Sequence, residues 1–324
     1  MTKNTLHDDL IVFDGLIISN WGGDVFDAMR KGGLTAANCT CSVWENFRDT
    51  MLNIGAWNRM LAAHGDQITK AVTVADIRRA KAENKTAIVL GFQNTSAFED
   101  RAEFVELFKQ QGVGIVQMTY NTQNLVGSGC YESTDSGLSD FGHDIVAEMN
   151  RVGMLCDLSH VGPKTSEDVI RASKRPVAYS HCLPHGLKAH PRNKTDDQLR
   201  FIADHDGFVG VTMFPPFLPR GNDSTVDDYV TAIDYVVNLV GEDRVGFGTD
   251  FTMGYDKPFF EYLNHDKGTG RQLTEIWDVE FPDGLESIAD FPNLTAAMDR
   301  AGWSEGKIRK IMGENWLSLL DRVW

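Results

Sequence analysis

The sequence predicts an α/β fold in which eight parallel strands alternate with helices and close into a (β/α)8, or TIM, barrel. Three observations carry this. Short β-rich runs recur along the chain, segments of helical period separate them, and the runs are apolar on both faces, as parallel strands covered by helices must be. An open doubly wound sheet is the alternative, but no G-x-G-x-x-G follows the first run. With 324 residues, 42% of them hydrophobic, the chain is long enough to bury such a barrel as a single domain over residues 1–324. No Pro/Ser-rich linker, charge block, internal repeat or low-complexity segment divides it.

The first strand is predicted over residues 11–18 (IVFDGLII), closed by Ser19 and Asn20, and a helix follows over 22–31. The second strand, over 34–41, leads to helical segments over 44–63 and 74–83. Strands over 86–92 and 114–119 flank a helix over 102–111, and a helix over 140–151 precedes the fifth strand at 154–158. Strands six to eight, at 177–180, 208–213 and 244–248, alternate with helices over 163–173, 195–205 and 227–240. The long stretch 251–293 carries Tyr255, Phe259, Phe260, Tyr262 and Trp277. Following a strand's C-terminal end, it reads as a lid over the barrel mouth, with an aromatic dimer contact or plain packing as the alternatives.

Composition narrows the function. A net charge of −15 repels nucleic acid, and no basic stripe reverses it locally. No apolar run approaches the roughly 20 residues that span a bilayer. Five scattered cysteines and the lack of a signal pattern before Ile11 predict a soluble protein of the reducing cytoplasm. The expected partner is a small molecule, with neither nucleic acid nor membrane.

Barrel sites lie at the C-terminal strand ends, so polar residues there are the informative ones. The third strand ends at Gln93, the fourth at Tyr120, the fifth at His160, the sixth at His181 and the eighth at Asp250. Two imidazoles and a carboxylate converging on a barrel mouth can bind a divalent metal and move protons. A strand-end histidine is also an ordinary hydrogen-bonded structural residue. Arg192, after the sixth strand, can grip a carboxylate through a two-pronged pair or form a surface salt bridge. Cys39 and Cys41 read as small buried packing residues, His185 and His190 as parts of a solvated loop, and Asp196 and Asp197 as complements to a helix dipole.

The segments DFGHDIVAEMNRVGMLCDLSHVGPKTSEDVI, PVAYSHC, HPRNKTDDQLR, GFGTDF and GLESIADFPNLTAAMDRAGWSEGKIRKIMGENWLSLL occur in this order. Together they resemble the renal-type (membrane) dipeptidases, metallopeptidases of the amidohydrolase-like barrels, from about residue 74 to the end. The resemblance implies a (β/α)8 barrel, usually dimeric, with two zinc ions and a dipeptide-like substrate. His160 and His181 match the two histidine ligands of one zinc, and Asp250 the proton-handling aspartate beside the metals. Arg192 matches the arginine that holds the substrate's terminal carboxylate.

Other positions depart from the family. Its first strand ends D-G-H-x-D, whereas this chain has Asp14, Gly15, Leu16, Ile17 and Ile18. The bridging glutamate aligns with Gln93, and a substrate-contacting histidine with Tyr120. The expectation is therefore at most one divalent ion, zinc or another, on His160 and His181, with Gln93 or water completing the shell. The favoured reading is a dipeptidase-like hydrolase with Asp250 as base and Arg192 and Tyr120 on the substrate. A non-catalytic binding protein and an enzyme with metal-independent chemistry are the alternatives. Sited at the barrel mouth, the two histidines should each cost only about 1 kcal/mol when replaced by alanine.

Overall fold

A computed structural model describes residues 5–276 and 278–324; Trp277 lies outside the described residues. All eight predicted strands form, as β1 (Phe13–Ile17), β2 (Ala36–Ser42), β4 (Thr86–Phe92), β5 (Val113–Gln117), β6 (Leu155–Asp157), β7 (Ala178–Cys182), β8 (Phe208–Val211) and β9 (Val245–Phe247). The short β3 (Ile68–Lys70) was not foreseen; it pairs with β4 away from the main path. The other strands run parallel in the order β1-β2-β4-β5-β6-β7-β8-β9.

The barrel closes where β1 meets the chain beyond β9. Ile18 N donates to Phe251 O at 3.0 Å and Asp250 N donates to Leu16 O at 3.0 Å. Buried Asp14 ties the same edges: its Oδ1 accepts from Leu16 N at 3.1 Å and Thr249 N at 2.8 Å, and its Oδ2 from the Thr249 hydroxyl.

The predicted helices pack outside, ending within a few residues of their expected limits. One start moved for a capping reason. Asn46 Oδ1 accepts from Asp49 N, so the helix Phe47–Ala63 begins there and leaves Trp44 and Glu45 in the loop after β2. Later helices at Lys257–Asn264, Phe291–Arg300 and Asn315–Val323 complete the chain. Trp316 on the last of these plugs the N-terminal end of the barrel, stacking on Phe13, packing on Phe208 and donating Nε1–H to Phe247 O at 2.9 Å. A Cβ at Gly15 would meet its ring at 2.4 Å, which explains the small residue there. With the lower end filled, the open volume lies at the C-terminal mouth. Among the described residues no helix is long and apolar enough to cross a membrane.

Burial raises the Asp14 carboxyl to about 7 from its ordinary value near 3.8. The folded state therefore holds this proton more tightly than the unfolded chain. The resulting stability is complete below about pH 4 and is lost as pH rises through 7, at up to about 1.4 kcal/mol per pH unit. Asp14→Asn, which mimics the protonated acid, should flatten that decline. Urea midpoints measured from pH 4 to 8 check this, and parallel curves for the two proteins would refute it.

Candidate active site

A cavity opens at the C-terminal strand ends. Gln93, Tyr120, His160, Arg192 and Asp250 all line it, together with Ile18, Asn121 and Tyr131. The stretch after β9 roofs it through Phe260, Leu263, Asn264, Thr274 and Ile276, so this segment lies over the mouth as a lid would. Thr122 on the loop after β5 ties the roof down by donating its hydroxyl to Asp266 Oδ1 at 2.8 Å.

His181 departs from expectation. It is fully buried behind His160 and does not line the cavity, because it lies within β7 while His160 follows the end of β6. The Nε2 atoms of the two rings are 3.0 Å apart. Their outer nitrogens are held by groups whose order the sequence left unread. His160 Nδ1 meets Asn121 Oδ1 at 2.7 Å, and His181 Nδ1 meets Ser180 Oγ at 2.7 Å. Ser180 gives its own proton to Asp157 Oδ2, so its oxygen accepts from His181 Nδ1–H. Asp157 Oδ1 also accepts from the Ser159 hydroxyl and from Ser180 N.

This network assigns the Nδ1–H tautomer to both rings and turns two unprotonated Nε2 atoms toward each other. Burial and the neighbouring Arg192 and Lys194 push both imidazoles well below their ordinary value, so both are neutral. Asn121, Asp157, Ser159 and Ser180 were missed as supporting groups. The signal for three of them was present: Ser159 and Ser180 immediately precede the histidines, and Asp157 lies three residues before His160.

Two nitrogens bound to one tetrahedral zinc stand about 3.3 Å apart, so the observed spacing suits a single ion. Among the described residues, the positions where the resemblance expects further ligands carry none. Ile18 presents a hydrocarbon wall, Leu16 is buried, and Gln93 is neutral, with its Nε2 donating to Thr40 Oγ1 at 3.1 Å. Among the described residues no group of three or more His, Cys, Asp or Glu side chains is placed to hold a metal. Cys39 and Cys41 are packing residues in the core, their thiols raised by burial, Cys41 to about 12.

Asp250 adopts a left-handed φ of 63°, a conformation Asp tolerates better than most residues and one that recurs at functional sites. Burial raises its carboxyl to about 6, against the opposing pull of Arg192. Tyr120 stacks on His160, with ring centroids 4.2 Å apart. Arg192 is no surface residue: it is 1% exposed, and its Nη1 and Nη2 donate to Ser159 O and His181 O. Its Nε–H is buried without a partner. Its guanidinium lies 5.2 Å from the Phe217 ring.

His190 also departs from the solvated reading. It is half-buried, and its Nδ1 accepts from Arg192 N at 3.1 Å, which helps place the arginine; His185 is exposed as expected. Asp196 and Asp197 do open a helix, Asp196–Asp204.

The model of a membrane dipeptidase family, peptidase family M19, matches residues 25–265. An uncharacterized protein in the pqqA 5′ region of Klebsiella pneumoniae is 28% identical over 82% of this chain and 93% of its own length. Dipeptidase tcpJ of Claviceps purpurea is 29% identical over 86% of this chain, which spans 60% of that protein's length. Among solved structures, an amidohydrolase from Pseudomonas aeruginosa shares 60% identity and a TM-score of 0.98, covering 100% of this chain and 99% of its own. A Rhodobacter sphaeroides metallopeptidase, liganded with a phosphinate mimic of L-Ala-D-Ala, shares the fold at 23% identity and a TM-score of 0.81, covering 98% and 100%.

Proposed function

Because the chain belongs to the membrane dipeptidase family, peptidase family M19, we propose that its cavity hydrolyses the amide bond of a small substrate ending in a free carboxylate. One observation carries this reading. An arginine with a buried, unpartnered N–H and an aspartate of suitable basicity line one cavity at the mouth of a hydrolase barrel.

The substrate carboxylate accepts from Arg192 Nε–H. This sets the amide between Asp250 and His160, with the Tyr120 ring bracing the imidazole. Asp250 takes a proton from water as the water oxygen adds to the amide carbon. The C–N bond then breaks, and the same proton passes to the leaving nitrogen, giving a carboxylic acid and an amine. A single divalent ion, zinc first among candidates, would be held by His160 Nε2 and His181 Nε2 and would supply carbonyl polarisation and a more acidic water.

Arg192 provides the test. A charge-assisted pair contributes roughly 1.5 to 3 kcal/mol, or about one to two decades in affinity. Arg192→Met should lose that much for a dipeptide and nothing for its C-terminal amide. Arg192→Lys should lose less, because it keeps the positive charge but not the fixed Nε–H. Calorimetry measures binding and a ninhydrin assay measures release. Equal binding of acid and amide would refute the carboxylate role. Carboxylate-dependent binding without release in added zinc would identify a binding protein instead.

A further inference from the structure

Beside the site lies a second hollow, and Ile18 and Leu263 line both. The partition between the two is one side chain thick. Gln93 on the site's face reaches Thr40 on the far face through its Nε2 hydrogen bond. Ile18 and Gln93 thus stand as wall where the family resemblance places metal ligands.

Beyond this wall the surroundings change. Trp21, Trp57, Tyr255, Phe259 and Tyr262 line the hollow, and Trp21–Trp57 and Tyr255–Phe259 are in ring contact. Among the described residues its lining contains one charged side chain, Glu45, and no Lys, Arg or His. Glu45 Oε2 is anchored by Val43 N at 2.7 Å, Trp44 N at 3.1 Å and the Ser42 hydroxyl at 3.1 Å. A fixed carboxylate among aromatic faces is a receptor for a cation, through ion pairing and ring quadrupoles together.

Among the described residues the site cavity itself offers one carboxylate, Asp250, which the hydrolytic reading uses as the base. An α-ammonium group, close to the scissile amide, would occupy that base. A cation farther along the acyl side would reach Glu45 with Ile18 and Leu263, the two side chains that border both hollows, turned aside.

Resting on the hydrolase reading, we propose that the second hollow is a cation-binding annex of the site. The substrate class is an ω-aminoacyl amino acid: a free carboxylate at Arg192, the amide at Asp250, and an ammonium group several bonds beyond the amide at Glu45.

Alanine acylated with glycyl, 3-aminopropanoyl, 4-aminobutanoyl, 6-aminohexanoyl and hexanoyl groups forms the test series, with binding followed by calorimetry and release by ninhydrin. Affinity should rise from glycyl to a longer amine, and 6-aminohexanoyl-alanine should bind about tenfold more tightly than neutral hexanoyl-alanine. Glu45→Gln, which retains an acceptor for the loop N–H groups, should bring those two within about twofold. Tyr262→Leu, at a partly exposed wall position, should narrow the gap by about threefold. Tightest binding of the glycyl compound, or equal binding of the amine and its neutral counterpart, overturns the annex while leaving the hydrolase reading intact. Preference for the long amine without cleavage of any compound in added zinc upholds the annex and refutes the hydrolase.

Discussion

Asp250→Asn should lower kcat by about two to four orders of magnitude, the range for loss of a general base. The substitution isolates the chemistry. Asparagine is nearly the same size and also tolerates a left-handed backbone, so the φ of 63° imposes no new strain. The pH profile supplies a second reading. Burial first, with Asp157 nearby, raises the carboxyl to about 6, so the basic form is present above that pH and disappears below it. Wild-type kcat/KM should fall about tenfold per pH unit below 6, and the small residual rate of Asp250→Asn should not follow this limb. Unchanged kcat in the variant would remove Asp250 from the reaction.

The second large effect concerns the histidine pair. Purified without chelators, the protein should carry at most one divalent ion per chain, and His181→Ala should carry none. Its cost to stability should be about 2 to 4 kcal/mol, from a new cavity and from the hydrogen-bond partner stranded at Ser180. This exceeds the sequence-based expectation of about 1 kcal/mol, because His181 is fully buried. Added zinc should raise the melting temperature of wild type and leave that of His181→Ala unmoved. Elemental analysis showing two ions per chain would mean that ligands exist beyond this pair.

The barrel was legible in the chain because parallel strands and their covering helices impose local periodicities, and the strand ends follow from those periodicities. That is how Gln93, Tyr120, His160, His181 and Asp250 were found. That Leu16 and Ile18 share a face with Asp14 was legible in the same way, since alternation along a strand assigns faces before any packing is known; that ligands are expected at those positions came only from the family resemblance.

The partners across strands were not legible. Ser180 is the chain neighbour of His181, but its hold on Asp157, the hold of Asn121 on His160, and the burial of Arg192 against Ser159 O and His181 O are contacts between residues 11 to 39 positions apart. No local pattern encodes them. Tertiary structure also decided that His181 lies behind His160 and that Trp316 fills the opposite end of the barrel. The same holds for Glu45, which reads in the sequence as an ordinary loop carboxylate. It faces an aromatic hollow only because the helix Phe47–Ala63 starts late, at the Asn46 cap, and the segment after β9 folds back over it. Strand pattern follows from neighbours along the chain, whereas the identity of a site's walls depends on which distant segments close over it.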